Sequence, residues 1–214
     1  FKQKTAYEML RSLVGSEMCI RDRAICAPPY ERVDHAIMRA VLMNPGTKEN
    51  GGIFSHTQGW AVMADVLLGQ GDRAYRHYRA YMPAAQNDRA EIREIEPYVH
   101  CQSTHSPFSK KYGKSRIPWL TGAASWSYFA ATQYLLGVRP EVDGVRIDPC
   151  IPSAWKAFSV TRHFRGKILH ISVANPNGVQ KGVVRLELNG IELPGNLIPF
   201  ERMASENTVR VLMG

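Results

Sequence analysis

Apolar side chains recur on two faces of the stretch from Ala123 to Leu136. Trp126, Phe129, Ala130 and Tyr134 share one face, and Ala124, Tyr128, Ala131 and Leu135 share another. A pattern that is apolar all round predicts a helix buried in a core. Upstream, Trp60, Met63, Ala64, Leu67 and Leu68 fall at i, i+3, i+4, i+7 and i+8, which predicts an amphipathic helix closed by Gly69 and Gly71. A second helix is predicted at once, capped by Asp72, with Tyr75, Tyr78, Tyr81 and Met82 facing inward and Pro83 as its stop. From Ala24 to Pro45 the pattern is poor. Pro28-Pro29 breaks it, and Val33, Ala36, Ile37 and Ala40 predict a short helix before the turn at Asn44-Pro45-Gly46.

After Gly137-Val138-Arg139-Pro140 the period changes from helical to alternating. Phe158 to Phe164, Ile168 to Val173, Val183 to Leu188 and Val209 to Leu212 predict short strands, with hairpin turns at Asn175-Pro176-Asn177-Gly178 and Asn189-Gly190. Trp155 and Phe158 are placed at the joint with the helices. The expected fold is therefore mainly α and then β. Helical hairpins of a toroid occupy residues 24–139, and a small antiparallel β-sandwich occupies 140–214.

Composition narrows the class. A hydrophobic content of 44% over 214 residues is ample for real cores, and no apolar run is long enough to cross a bilayer. Cys19, Cys26, Cys101 and Cys150 are scattered without a CxxC pair, which fits reduced thiols and a cytoplasmic location. The formal charge of +8 is spread along the chain without aromatic interleaving, so it points to anionic small ligands and away from nucleic acid.

Several positions carry candidate chemistry. Thr121-Gly122 opens the apolar helix, where backbone N–H groups lack internal partners and the dipole is positive. The pair is either an anion cradle or an ordinary N-cap. His56 stands just before the amphipathic helix, where it opens onto the same face as the Thr-Gly pair or is a structural imidazole. Lys48-Glu49-Asn50-Gly51-Gly52 is a glycine-rich loop able to bring backbone close to a ligand. Gln102 is a candidate for sugar hydroxyls, since an amide donates and accepts at once. His100, Cys101 and His105 match no ordinary zinc spacing, so no metal is assigned. Ser103 and His105 lack the glycine-rich elbow of a nucleophilic dyad.

Two resemblances follow from ordered motifs. Phe1-Lys2-Gln3-Lys4-Thr5-Ala6-Tyr7-Glu8-Met9 and Arg11-Ser12-Leu13-Val14-Gly15-Ser16-Glu17-Met18-Cys19-Ile20-Arg21-Asp22 resemble translated sequencing-library adapters, so residues 1–23 are expected not to be native protein. Four further motifs resemble the cellobiose phosphorylase family of inverting glycoside phosphorylases. They are Lys48 through His56, Glu96-Pro97-Tyr98-Val99, Trp119-Leu120-Thr121-Gly122-Ala123-Ala124-Ser125-Trp126, and Leu136 through Pro140 continuing to Trp155.

That resemblance implies the last helices of an (α/α)6 barrel followed by a C-terminal β-domain, as a C-terminal piece of a longer parent. It implies that phosphate attacks the anomeric carbon of a β-glucoside while an Asp protonates the leaving oxygen. Because phosphate is itself the nucleophile, one carboxyl group suffices. His56, Thr121 and Gly122 match the phosphate-binding positions, and Gln102 matches a contact to the transferred glucosyl unit. Glu49 lies in the matching loop, and Arg39 lies near the acceptor site. Cellobiose is the expected substrate, with cellobionic acid as the alternative that a cation at Arg39 would favour. The implied partners are disaccharide, inorganic phosphate and a second copy of the parent, with no cofactor. The family's general acid lies in a Trp-Asn-Asp tripeptide that does not occur in these 214 residues, so the piece alone is expected to be inactive. A hydrolase on the same toroid and a non-catalytic carbohydrate-binding module are the rival readings.

Overall fold

The structure, a computed structural model, describes residues 24–31 and 38–214, without the side chains of Met38 and Arg39. The adapter-like stretch 1–23 and the first part of the predicted short helix lie outside the described residues. The remainder of that helix is present as α1 (Met38–Val41). Contacts divide the chain into two compact units. The first comprises the described residues through 61 together with 76–128, and the second comprises 62–75 with 129–214.

In the first unit, β1 (Ile53–Phe54), β2 (Cys101–Thr104) and β3 (Ser115–Pro118) form an antiparallel sheet in that order. None of these strands is legible as an alternating run, because each is only two to four residues long. The backbone leaves β1 straight into helix α2 (Ser55–Leu67), and α3 (Gly71–Tyr81) follows the turn at Gly69. A 3-10 segment (Pro83–Arg89) and the short α4 (Ala90–Arg93) come next.

Helix α2 forms where its periodicity predicts it, but it buries a different face. Trp60 and Leu67 of the apolar stripe are 47% and 59% exposed, whereas Ala64 of that stripe is buried together with Ala61, Val62, Asp65 and Val66. The buried face was disguised by two polar residues that the fold satisfies. The Gln58 Nε2 donates to the Phe54 carbonyl at 2.9 Å, and Asp65 is paired to Arg73 at 2.8 Å. Asp72 does not act as the expected cap. Helix α3 already begins at Gly71, and the Asp72 carboxylate accepts from the Ser153 N–H at 2.9 Å and from its hydroxyl.

Helix α5 (Ala123–Phe129) passes into a π-helical stretch, Ala130–Leu135. The Leu136 N–H there bonds the Ala131 carbonyl five residues back at 2.8 Å. The helix is not buried all round: Ala123, Ser127 and Ala130 are covered, and Tyr128 is 62% exposed.

The second unit is the β-rich part. Strands β4 (Val138–Pro140), β5 (Gly144–Ile147) and β10 (Leu197–Pro199) form one sheet in the order β10-β5-β4. The other sheet contains β6 (Ala157–Phe164), β7 (Lys167–Ala174), β8 (Arg185–Leu188), β9 (Ile191–Leu193) and β11 (Glu206–Leu212), in the order β6-β7-β11-β8-β9. Val145, Ile147 and Ile198 of the first sheet share one buried cluster with Leu169, Ile171, Leu186 and Val209 of the second, so the two form a sandwich. The sandwich is mixed and not purely antiparallel, because the last strand inserts beside β7 and runs parallel to it. Asn189-Gly190 makes a hairpin as predicted, whereas Asn175 does not. Its buried amide closes a local turn by bonding the Val179 N–H and the carbonyls of Trp155 and Val179.

Candidate active site

Two helices leave the three-stranded sheet from the same end. Strand β2 pairs antiparallel with both neighbours, with Phe54 opposite Ser103 and Pro118 opposite Cys101. The C-terminal ends of β1 and β3 therefore lie together beside the N-terminal end of β2. His56 follows β1, Thr121 and Gly122 follow β3, and Gln102 sits on β2 at that same end.

Aromatic rings link the helix that carries His56 to the helix that follows Gly122. The His56 imidazole meets the edge of Trp60 at 5.4 Å between ring centroids, and Trp60 meets Trp126 at 5.6 Å. The position of a β-carbon on Gly122 would fall 3.7 Å from Trp126 Cδ1, an ordinary contact. The helices approach closely at Gly59, where a β-carbon would come within 3.2 Å of the Trp126 carbonyl oxygen. Both tryptophans stand one helical turn after the residues they support, His56 and Gly122.

The Thr121 Oγ1 accepts the Ala123 N–H at 3.0 Å. It therefore caps the helix with its oxygen while the hydroxyl hydrogen remains to donate, and the two readings of this threonine do not exclude each other. Gly122 is exposed. Trp119, with φ at 67°, is 71% exposed, and its Nε1–H reaches Glu96 Oε1 at 3.3 Å.

The glycine-rich loop supplies the other wall. Asn50 is buried and fixes the loop by donating to the carbonyls of Tyr30 and Met43, both at 2.9 Å, and by accepting the Tyr30 N–H at 2.7 Å. Gly52 closes the turn on Lys48 so tightly that a β-carbon would lie 2.5 Å from the Lys48 nitrogen. The Lys48 ammonium donates to the Gln102 Oε1. The amide NH₂ is the remaining polar group of Gln102. Lys48 was not among the sequence candidates. Its partner lies 54 residues away, and no local pattern announces such a pair. Glu49 follows it, half-buried, in the same turn. The backbone of Arg39 belongs to α1, and its side chain lies outside the described residues.

The residues weighed for metal have separate engagements. Cys101 Sγ lies 3.5 Å from Ser55 Oγ and from Thr104 Oγ1, the His100 ring is tilted beside Tyr81 with centroids 6.0 Å apart, and His105 bonds Ser109. Burial lowers the pKa of both imidazoles, most directly at His100.

Residues 5–137 match the glycosyl hydrolase 94 superfamily catalytic domain, and residues 138–191 match the glycosyl hydrolase family 65 C-terminal domain. N,N'-diacetylchitobiose phosphorylase of Vibrio proteolyticus is 44% identical over 88% of this chain and 23% of its own length. The enzyme of the same name from Vibrio furnissii is 43% identical over the same shares. Solabiose phosphorylase of Paenibacillus borealis is 33% identical over 87% of this chain and 24% of its own. The chain thus spans about a quarter of the length of these relatives, which are disaccharide phosphorylases. With the catalytic-domain match extending over more than half of its residues, the chain belongs to the glycosyl hydrolase 94 superfamily.

Proposed function

We propose that this chain supplies the phosphate grip and part of the sugar site of an inverting β-disaccharide phosphorylase. The observation that supports the reading is the chain of ring contacts from His56 through Trp60 to Trp126, which links the first turns of the two helices. An imidazole, a threonine hydroxyl and the backbone at a helix start suit a phosphate, whose charge is favoured at the positive end of the dipole. Gln102, steadied by Lys48, contacts the transferred sugar, while Glu49 and Arg39 lie towards the acceptor. Residues 24–139 belong to an (α/α)6 barrel and 140–214 to the C-terminal β-domain. The whole protein works in the cytoplasm, as a homodimer.

In the reaction, a phosphate oxygen attacks the anomeric carbon. The bond to the leaving sugar breaks as a carboxylic acid elsewhere in the whole protein delivers its proton to the departing oxygen. His56, Thr121 and Gly122 hold the nucleophile for in-line attack, which converts a bimolecular encounter into a positioned one.

The favoured substrate is N,N'-diacetylchitobiose, since identity to the chitobiose enzymes exceeds that to the solabiose enzyme. Cellobiose and cellobionic acid, which the sequence motifs suggested, are the second reading. The test is to incubate the whole protein with phosphate and each of the three disaccharides. N-acetylglucosamine 1-phosphate from diacetylchitobiose as the fastest product is expected. Faster release of glucose 1-phosphate from cellobiose or cellobionate would establish the second reading, and sugar release without phosphate would overturn both in favour of hydrolysis. The isolated 214-residue chain, lacking the Trp-Asn-Asp tripeptide, is expected to show no turnover.

A further inference from the structure

A cavity of about 220 Å³ lies in the first unit between the turn at residues 42–48 and the side chains of His105 and Arg116. Its polar lining is Asn44, Thr47, Lys48, His105 and Arg116, and no carboxylate from the described residues lines it. None of His56, Thr121 and Gly122 contributes to it.

His105 is the unusual member. It is 7% exposed, with its Nδ1 2.8 Å from the Ser109 hydroxyl. Ser109 Oγ can donate its own hydrogen to Nδ1 while accepting the Lys111 N–H at 3.2 Å, an arrangement that places the imidazole hydrogen on Nε2. That Nε2 is buried and has no hydrogen-bond partner among the described residues. A buried donor left unsatisfied costs about 1–3 kcal/mol, which an acceptor in the cavity would remove. The charges that act on this ring are all positive, from Arg116, Lys111 and Lys114, so the acceptor they favour is an anion. Burial, reinforced by those cations, lowers the pKa of His105 and favours the neutral ring.

We propose that this cavity is a second oxyanion site, taking a small inorganic anion of the phosphate or sulfate class between Lys48, the His105 Nε2–H and Arg116. Charge-assisted bonds from the two cations carry most of the affinity, and the imidazole fixes the orientation. The site shares Lys48 with Gln102, so its occupancy reaches the side chain assigned above to the sugar. That last link rests on the proposed function, whereas the anion site itself does not.

The test is equilibrium dialysis of radiolabelled sulfate, which cannot undergo the phosphorolytic reaction, against the whole protein. A His56→Ala background weakens the grip near Thr121 and Gly122. Sulfate is expected to bind this background, and adding Arg116→Gln is expected to weaken that binding by about tenfold. Arg116 is an exposed strand residue, so the change leaves the fold intact. No sulfate bound in the His56→Ala background, or binding that Arg116→Gln leaves unchanged, would overturn the proposal. Because binding is the readout, the result is readable even if the protein proves to have no phosphorylase activity.

Discussion

Trp60 and Trp126, on two different helices, meet edge to face with their rings 87° apart. The contact spans the gap between the imidazole that follows β1 and the Thr-Gly pair that follows β3.

Such ring pairs contribute about 0.5–1.5 kcal/mol beyond their burial, so Trp60→Leu is expected to raise the KM for phosphate by roughly two- to tenfold in the whole protein. Trp60 is 47% exposed, so its loss should disturb the fold little. Initial rates at varied phosphate, alongside the melting temperature, separate the two effects. A fall in melting temperature with an unchanged KM would show the pair to be structural.

Lys48→Met keeps the length of the side chain and removes the donor to Gln102. A lost charge-assisted bond is worth about 1.5–3 kcal/mol, so the KM for the disaccharide should rise at least tenfold. Phosphate saturation curves measured with the same variant should change less than the sugar curves.

Gly71→Ala tests the backbone contact beneath the start of α3. A β-carbon there would lie 2.2 Å from the Ile151 carbonyl oxygen, so either the helix or the strand connection must move. Overpacking of this kind costs about 1–3 kcal/mol. The expected result is a lower urea midpoint, and an unchanged midpoint would show that the connection yields freely.

Cys150 gives a signed pH effect. Burial pushes its thiol from 9.0 up to about 11. The folded protein thus holds this proton more tightly than the unfolded chain does. Its contribution to stability is complete below pH 9 and is lost as the pH rises towards 11. Urea unfolding across that window should show a fall in stability that is smaller in Cys150→Ala. Iodoacetamide at pH 8 should leave Cys150 unmodified in the folded protein, with mass spectrometry as the readout.

The sequence announced long periodic elements and chemical types better than it announced faces and pairings. Helices α2 and α3 and the strands β6 and β7 came from pattern alone, because each is long enough for its period to repeat. The buried face of α2 was hidden because Asp65 and Gln58 read as solvent-facing until Arg73 and the Phe54 carbonyl are in place. The position of β11 between β7 and β8 depends on long-range pairing that no local pattern encodes. At the candidate site, His56, Gln102, Thr121 and Gly122 were visible as types at helix or strand ends. Their shared end of the sheet depends on the three short strands, and the Lys48–Gln102 bond joins residues 54 positions apart.

The three-stranded sheet makes the separation of two helix starts a matter of ladder geometry. Cross-strand spacing in such a ladder is fixed near 5 Å per step by its inter-strand hydrogen bonds, whatever side chains the strands carry. Substitutions along the bodies of α2 and α5 can therefore remodel the surroundings of a sugar without altering how far His56 stands from Thr121. A change in sheet register, by contrast, would move both anchors at once.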